Sequence, residues 1–368
     1  MQEIRSVKDA DVAGKRVLVH VDFDVPLKNG AIVDDFRIRA ALPTIALLRE
    51  KGAEQIVLIS KLGRPEGKVV EELRMAPIQK KLAQLVDTSG IELRENLRFD
   101  PREEANDSAF AKELASLGDV FVNEAFADSH RTHASIVGIP KFLPGYAGVR
   151  FEEEVRRLSA ALTPPQGALA LIGGAKFETK EPLIKKLLGV YAEVLLGGAL
   201  ANDLLKARGL PFGKSLLSGA PVDPEVASDE RLVLPTDAIF AEVGLSAERS
   251  GGVVDIRAGE SIIDIGPATA KLWAEKISKA PFVLWNGPVG IYEQGYCDGT
   301  DALAAALALL SASGQAASFR AVVGGGDTIA AISKQTFDPQ KVFVSTGGGA
   351  MLEFLTAGTL PGIEALRR

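Results

Sequence analysis

The sequence predicts an α/β protein with two domains, each built around a parallel β-sheet. Short apolar runs alternate with amphipathic stretches along the 368 residues, a pattern typical of strand–helix repetition. Several of these runs end in glycine-rich turns, as strands do where a parallel sheet binds a ligand. The chain is also longer than most single domains, so two or more domains are expected.

The first half alternates candidate strands with candidate helices. The strands are Arg16–Asp22, Gln55–Ser60 and Asp119–Asn123. The helices fit around Pro43–Glu50, Ala76–Leu85 and Asp107–Leu117. Pro43 favours a helix start or a kink, because proline fixes φ and lacks the N–H that a helix interior uses.

The second half continues this alternation beyond a helical segment. Its candidate strands are Ala168–Ile172, Val190–Leu196, Phe282–Trp285, Arg320–Val323 and Lys341–Ser345. The segment Phe151–Leu162 has apolar residues at helical spacing and ends just before Pro164 and Pro165, which stop a helix. Such a helix is a good connector, so we place domains at residues 1–155 and 156–350, followed by a tail over residues 351–368.

Composition and charge favour a small-molecule partner in a reducing compartment. The net charge is −6, and no basic stretch resembles a nucleic-acid footprint. Cys297 is the one cysteine, so no intrachain disulfide can form. The N-terminus lacks the apolar region of a signal peptide, and no apolar run approaches ~18 residues. We therefore expect a cytoplasmic protein without nucleic-acid or membrane partners.

Three glycine-rich turns in the second half predict a phosphorylated ligand. They are GGAK at Gly173–Lys176, GGGDT at Gly324–Thr328 and STGGGA at Ser345–Ala350. Glycines at a strand end leave backbone N–H groups free to point at an anion, and the following helix N-terminus adds positive potential. Lys176 and Lys180 are four residues apart, so we expect them to share a helix face and reach a phosphate chain. Asp327 is placed to hold Mg²⁺ that phosphate oxygens already bridge.

Charged side chains gather at the predicted strand ends of the first half, where open α/β sheets bind ligands. They are His20, Asp22, Asp24, Arg37, Lys61, Arg64, Arg98 and Arg131. Arginine matches carboxylate and phosphate groups by donating two parallel hydrogen bonds. Several arginines at one edge therefore predict a site for a small polyanion. No cysteine and no third histidine accompany His130 and His133 in their own segment to support zinc binding, so packing or substrate contact is the better interpretation.

Taken together, these segments resemble the phosphoglycerate kinase family, in that family's order and over nearly the whole chain. They are VDFDVPL (Val21–Leu27), DDFRIRAALPTI (Asp34–Ile45), SKLGRP (Ser60–Pro65), ENLRF (Glu95–Phe99), VNEAFADSHRTHAS (Val122–Ser135), GGAK with Lys180, WNGPVGIYE (Trp285–Glu293), GGGDT and STGGGA. The resemblance implies two Rossmann-like three-layer αβα domains joined by a helix and a hinge, with the tail returning to the N-terminal domain. It implies a monomeric glycolytic enzyme that uses Mg²⁺ and transfers a phosphoryl group reversibly between 1,3-bisphosphoglycerate and ADP, giving 3-phosphoglycerate and ATP.

The resemblance also implies roles for individual residues. The acid-substrate positions are Asp22, Phe23, Asp24, Arg37, Lys61, Leu62, Gly63, Arg64, Arg98 and Arg131. The nucleotide positions are Gly174, Ala175, Lys176, Lys180, Gly197, Gly198, Asn286, Pro288, Glu293, Gly325, Gly326, Asp327 and Thr328, with Asp327 also facing Mg²⁺. The catalytic positions are Arg37, Lys176, Lys180, Gly326 and Gly348.

The acid-substrate half departs from the family pattern, whereas the nucleotide half matches it almost fully. The family usually has Arg, Asn and His where this chain has His20, Asp24 and Lys61, and its Asn-Asp-Ala-Phe-Gly-Thr segment here carries Glu124, Ala127 and Asp128. Two alternatives stay open: a related ATP-dependent kinase acting on a different small carboxylic acid, and a non-catalytic paralogue. Asp24 and Lys61 follow strands expected to be neighbours, so we also expect the two side chains to pair and offset each other's charge.

Overall fold

The structure is a computed structural model that describes residues 4–242, 248–313 and 318–367. The chain divides into two compact units. The N-terminal unit comprises Met1–Arg156 together with Ala357–Arg368, and the C-terminal unit is Arg157–Thr356. Among the described residues, no helix combines the length and the apolar character that crossing a membrane requires.

The N-terminal unit alternates short strands with helices. Its strands are β1 Arg16–His20, β2 Leu27–Lys28, β3 Ala31–Ile32, β4 Gln55–Ile59, β5 Ile91–Leu93, β6 Val120–Asn123 and β7 Gly145–Ala147. Its helices are α1 Phe36–Glu50, α2 Ala76–Leu85, α3 Pro101–Glu104, α4 Ser108–Ala115 and α5 Val149–Leu162, of which α5 continues into the C-terminal unit.

One parallel sheet organises this unit, with the strand order β5-β4-β1-β6-β7. The central strands β1, β4 and β6 are buried almost throughout, as is typical of parallel strands. From one edge of the sheet to the other, these are its third, second, first, fourth and fifth strands along the chain. The winding therefore reverses between β1 and β6. Open α/β sheets bind ligands at the carboxyl ends of the strands beside such a reversal.

The C-terminal unit repeats this plan. Its strands are β8 Leu169–Ile172, β9 Glu193–Leu196, β10 Leu232–Val233, β11 Asp237–Glu242, β12 Glu248–Gly252, β13 Glu260–Ile265, β14 Phe282–Asn286, β15 Arg320–Gly324 and β16 Val342–Ser345. Its helices are α6 Phe177–Leu188, α7 Ala199–Ala207, α8 Pro224–Ser228, α9 Pro267–Lys279, α10 Asp298–Ala312, α11 Gly326–Ile332 and α12 Gly349–Ala357. The last helix, α13 Pro361–Leu366, belongs to the N-terminal unit.

Its main sheet is parallel and has the order β10-β9-β8-β14-β15-β16. The winding therefore reverses between β8 and β14, which places a second ligand-binding edge at the turns after these two strands. The core of this sheet includes Trp273 and Trp285, both fully buried. The predicted α/β class with parallel sheets is confirmed.

A second sheet of the C-terminal unit is not anticipated by the sequence. Strands β12, β11 and β13 form a three-stranded antiparallel sheet in that order. Its middle strand alternates partly buried residues with the buried Ala238 and Phe240, which pack on Leu205 and Val253. The apolar run of this strand is limited to Ala238–Ala241 between Asp237 and Glu242, and its partner β12 has no apolar run at all.

The first-half strands are confirmed to within two residues, but the start of the first helix is not. Helix α1 begins at Phe36, and Pro43 lies in its interior. The Asp34 side chain accepts a hydrogen bond from the Phe36 amide at 2.8 Å, which satisfies a first-turn donor. The placement of the helix start at Pro43 is therefore wrong.

Candidate active site

Loops after four strands of the N-terminal unit bring the predicted acid-binding residues to one edge of the sheet. Asp22, Phe23 and Asp24 follow β1, residues 61–64 follow β4, Arg98 follows β5, Arg131 follows β6, and Arg37 lies in the first turns of α1. Parallel strands end at a common edge, so residues distant in sequence become neighbours there. Arg64 is exposed at this edge.

Asp22 and Arg37 form an ion pair at this edge. The Arg37 Nη1 donates to Asp22 Oδ1 at 2.9 Å. Burial raises the pKa of Asp22 to about 6, against the opposing charge of Arg37. Asp22 Oδ2 and Arg131 Nε are both buried and make no hydrogen bond among the described residues. Arg37 and Arg131 are each 32% exposed, so both side chains remain accessible to a ligand.

Asp24 ties together the ends of three strands. Its Oδ1 accepts a hydrogen bond from the Gly63 amide at 2.8 Å, and its Oδ2 lies 3.2 Å from Arg98 Nη1. The same Arg98 nitrogen donates to the Gly63 carbonyl at 2.8 Å. The partner of Asp24 is therefore Arg98, and the expected pairing of Asp24 with Lys61 is wrong.

Lys61 is turned into the unit and is 1% exposed. Its Nζ lies 3.2 Å from Glu103 Oε1 and 3.5 Å from Asp128 Oδ2, and donates to His133 Nδ1 at 3.1 Å. Burial, assisted by the charge of Lys61, lowers the pKa of His133 to about 3, so this histidine is neutral and accepts the bond. A ligand contact through Lys61 would require the amino group to leave these partners.

Phe23 and Leu62 are also buried, and their amides are used within the protein. The Phe23 N–H donates to Ser60 Oγ at 3.0 Å, and the Leu62 N–H donates to Asn96 Oδ1 at 3.1 Å. These bonds fix the shape of the two loops. In the structure these residues act through loop geometry, and their side chains are not open to a ligand.

Sequence reasoning did not select Asp128, although it lies among the selected cations. Its carboxylate is within 4 Å of nitrogens of Lys61, Arg98 and Arg131. The available signal is its position in the VNEAFADSH segment, where the family pattern has an uncharged residue. Because this difference from the family pattern introduces a charge near predicted ligand-binding residues, it is a reason to include Asp128 among the candidate site residues.

In the C-terminal unit, Lys180 connects the turns on either side of the winding reversal. Its Nζ donates to the Gly173 carbonyl at 2.5 Å and to Asn286 Oδ1 at 3.1 Å. Asn286 in turn donates to the Gly324 carbonyl at 3.0 Å. Burial lowers the pKa of Lys180 to about 8, and the charge of Asp327 acts in the opposite direction.

The glycine-rich turns supply backbone rather than side chains at this edge. Gly325 has φ +100° and its N–H lies at the start of α11, and an added Cβ there would lie 3.1 Å from Asn286 Nδ2. An added Cβ on Gly326 or Gly348 would meet nothing within 4 Å, so space remains above both helix starts. The Thr328 hydroxyl accepts from the Gly287 amide at 2.6 Å and holds the turns together.

The remaining predicted nucleotide residues surround these turns. Gly174 donates to the Pro288 carbonyl at 3.1 Å, and Gly198 donates to the Val289 carbonyl at 3.0 Å. Ala175, Lys176, Glu293, Gly326 and Asp327 are exposed. Helix α6 begins at Phe177, and Lys176 precedes it with an extended backbone. The expectation that Lys176 shares a helix face with Lys180 is therefore wrong.

The described residues contain no group of three or more histidine, cysteine or acidic side chains placed to hold a metal ion. Asp327 is a single exposed carboxylate at the start of α11, close enough to Lys180 to affect its pKa. This arrangement fits Mg²⁺ held mainly by phosphate oxygens with one protein carboxylate, and it does not fit an all-protein metal cage.

Comparisons with known proteins agree with these features. The family model described as phosphoglycerate kinase matches residues 7–358. The chain is 43% identical to phosphoglycerate kinase from Roseiflexus sp. (strain RS-1), over 98% of each protein. It is 41% identical to that of Maricaulis maris, over 100% of this chain and 98% of the relative. The structure resembles phosphoglycerate kinase from Coxiella burnetii, with a TM-score of 0.82, 36% identity, and coverage of 99% of this chain and 98% of that one.

Proposed function

The chain belongs to the phosphoglycerate kinase family, and we propose that its N-terminal unit binds 3-phosphoglycerate while its C-terminal unit binds ATP or ADP. It is a phosphotransferase with a carboxyl group as acceptor. Its reaction is the reversible transfer of a phosphoryl group between 1,3-bisphosphoglycerate and ADP, which gives 3-phosphoglycerate and ATP in glycolysis. One observation supports this assignment of the two ligands: each main parallel sheet has one winding reversal. Arginines lie at the reversal in the N-terminal unit, and glycine-rich turns lie at the reversal in the C-terminal unit.

The proposed chemistry needs no general base. The acceptor carboxylate of 3-phosphoglycerate is already ionised near neutral pH, so the protein has to position two polyanions and neutralise charge on the transferred group. Lys180 and Lys176 are the cations of the nucleotide edge, and Arg37 is a cation of the acid edge. Backbone N–H groups at Gly326 and Gly348 add donors that need no reorganisation during transfer.

Mg²⁺ is the proposed metal cofactor, held by nucleotide phosphates and by Asp327. When bound, it neutralises phosphate charge. We also propose that the enzyme is a cytoplasmic monomer. Because the two ligands are assigned to different units, transfer requires the units to approach by closing at a hinge, which would also exclude water from the acyl phosphate.

Acyl-phosphate formation from ATP tests this function directly. The protein is incubated with Mg-ATP and a panel of acids: 3-phosphoglycerate, glycerate and an unphosphorylated dicarboxylic acid. Hydroxylamine traps the acyl phosphate as a hydroxamate, and ADP release is measured in parallel. We expect turnover with 3-phosphoglycerate to exceed that with the other acids. Turnover with only another acid, or with none, would contradict the proposal.

A further inference from the structure

Three cations of the acid edge converge on one internal carboxylate. Asp128 Oδ2 lies 3.5 Å from Lys61 Nζ, and Asp128 Oδ1 lies 3.7 Å from Arg131 Nε and 3.9 Å from Arg98 Nη2. All three cations are residues assigned to the acid substrate. The Asp128 side chain is 14% exposed, so it faces the edge without being fully solvated.

Asp128 carries a full negative charge in this position. Burial by itself would raise the pKa of its carboxyl, but the charges of Lys61, His20, Arg98 and Arg131 outweigh that effect and hold the pKa well below its ordinary value. His20 Nε2 lies 4.0 Å from Asp128 Oδ2, and because burial lowers the pKa of His20 to about 3, this ring is neutral near pH 7 and Lys61, Arg98 and Arg131 are then the cations beside Asp128. The three cations therefore have an ionised partner before any ligand arrives.

Other carboxylates also form ion pairs with the cations of the acid edge. Glu103 pairs with Lys61, and Asp24 pairs with Arg98. Arg37 interacts electrostatically with Asp22, Asp24 and Asp128, which raises its pKa. Among these carboxylates, Asp128 is the one within 4 Å of three of the substrate-assigned cations. Of the three cations, Arg131 is the accessible one at 32% exposed, whereas Lys61 and Arg98 are buried. A phosphate or carboxylate group that approaches Arg131 therefore meets an ion of like charge beside it.

We propose that Asp128 is a specificity-determining residue that sets how much negative charge the acid site accepts. Its carboxylate occupies the point of convergence of Lys61, Arg98 and Arg131, so highly charged acids bind more weakly than the number of cations suggests. The binding of weakly charged acids is weakened less. This proposal rests on the assignment of the acid substrate to the N-terminal unit, and it extends that assignment to discrimination among small acids by charge.

The test compares two charge-neutral variants with two controls. Asp128→Asn and Asp128→Ser remove the charge, whereas Asp128→Glu retains it. Asp119→Asn is a matched control, because Asp119 pairs with Arg16 near the start of β6, away from the carboxyl edge. For each folded variant, KM for 3-phosphoglycerate, glycerate and Mg-ATP is measured. Binding of inorganic sulfate is measured by calorimetry.

We expect Asp128→Asn and Asp128→Ser to lower KM for 3-phosphoglycerate and the dissociation constant for sulfate by at least about tenfold. This lies between the effect of one charge at contact distance in bulk water, about fivefold, and near a protein surface, about a thousandfold. KM for glycerate should change less, and KM for Mg-ATP should stay the same. Asp119→Asn should resemble the parent, and Asp128→Glu, which keeps the charge, should bind sulfate no more tightly than the parent. Unchanged or weaker anion binding in a folded neutral variant would overturn the proposal. So would failure of both neutral variants to fold, because the carboxylate would then serve stability.

The sulfate titration separates this proposal from the function on which it rests. If the parent does not turn over 3-phosphoglycerate, the assignment of the substrate fails. Tighter sulfate binding by the neutral variants would still support the role of Asp128 at an anion site. If the parent is active and the neutral variants bind sulfate no better, the role of Asp128 fails and the substrate assignment stands.

Discussion

Lys180 links ligand chemistry to the local structure of the nucleotide edge. Its amino group is buried against the Gly173 carbonyl and the Asn286 side chain, within reach of the charge of Asp327. We expect Lys180→Ala to lower kcat by ~10²–10³, the usual loss when one preorganised donor to a transferring group is removed. KM for 3-phosphoglycerate should change much less. Steady-state kinetics with both substrates varied provides the measurement.

Lys185→Ala is the matched control for Lys180→Ala. Lys185 lies on the same helix, but it is exposed and pairs with Asp223 at 2.7 Å. Its removal should leave kcat within a factor of two or three, as expected for a surface ion pair. Near-parental kcat in Lys180→Ala would remove this lysine from the catalytic role.

Asp327 should matter for the metal–nucleotide complex and not for the acid. Asp327→Asn keeps the size of the side chain but removes the charge that would face Mg²⁺. We expect weaker binding of Mg-ADP by calorimetry, with unchanged binding of 3-phosphoglycerate. Asp301→Asn, which disturbs an exposed pair with Lys334, is the control. Equal Mg-ADP affinity in Asp327→Asn and the parent would count decisively against the metal role.

The residues at each edge could be predicted from the sequence, but their partners could not. Glycines and charges after apolar runs indicate a strand end, and a parallel sheet brings strand ends together. Which carboxylate contacts which cation depends on loop paths that no local pattern encodes. The pairing of Asp24 with Arg98 instead of Lys61 is an example. The contacts of Asp128 with Lys61, Arg98 and Arg131 depend on loop paths in the same way.

The first amides of helix α5 donate to the buried carboxylate of Glu124, so the stability of the helix start depends on pH. Glu124 accepts from the Thr44 hydroxyl at 2.6 Å and from the amides of Arg150 and Phe151 at 3.0 and 3.2 Å. Thr44 accepts from the Val149 amide at 2.8 Å, so the first-turn donors of the helix are satisfied. Burial raises the pKa of Glu124 from 4.5 to about 7, although these hydrogen bonds oppose the shift.

Glu124 should therefore make the protein less stable as pH rises through this range. Between pH 4.5 and 7 the unfolded chain loses the proton while the folded carboxyl retains it, which favours unfolding. Between pH 4.5 and pH 7 this effect lowers the free energy of unfolding by about 3 kcal/mol. Glu124→Gln cannot titrate, so its unfolding free energy should fall less between pH 5 and pH 8, as measured by urea denaturation.

The difference in pH dependence between the parent and Glu124→Gln separates the effect of Glu124 from the effects of other buried acids. Burial also raises the pKa values of Asp22 and Asp264 to about 6, and these carboxyls remain in both proteins. Glu113→Gln, at an exposed position that pairs with Arg102, should keep the pH dependence of the parent. Identical pH dependence in Glu124→Gln and the parent would show that Glu124 has no such effect.

Parallel strands were predictable because burial on both faces leaves an uninterrupted apolar run. The antiparallel sheet was not, since β12 has no apolar run and carries Arg249 between polar residues and glycines. The start of α1 was hidden because the proline within the helix gives a stronger sequence signal than Asp34 before it. Helix propensity is a weak indication where tertiary contacts decide.

The two units use the same winding order, and the end of the chain completes the first of them. Helix α13 packs in the N-terminal unit, where the Gly362 amide donates to the Ser129 carbonyl at 2.9 Å. Ser129 is adjacent to Asp128 in the loop that carries Arg131. Ile363 and Leu366 are fully buried. The last residues therefore support a loop of the acid edge from a position remote in sequence.

Leu366→Ala should destabilise the N-terminal unit alone. Truncating a fully buried leucine costs about 2–5 kcal/mol. Both tryptophans, Trp273 and Trp285, lie in the C-terminal unit, so tryptophan fluorescence follows that unit while circular dichroism follows both. We expect Leu366→Ala to produce an earlier unfolding phase in circular dichroism that is absent from fluorescence. Leu309→Ala, at a position 75% exposed, should produce no such phase.

Ligands added to Leu366→Ala then test which unit holds which substrate. A ligand stabilises the unit that binds it by mass action, by about 2.7 kcal/mol at a hundred times its dissociation constant. We expect 3-phosphoglycerate to delay the early phase and Mg-ADP to delay only the phase seen by fluorescence. The assignment would be reversed if Mg-ADP delayed the early phase. A fluorescence midpoint that moved together with circular dichroism in Leu366→Ala would instead mean that the two units unfold as one, because the destabilisation would then have reached both.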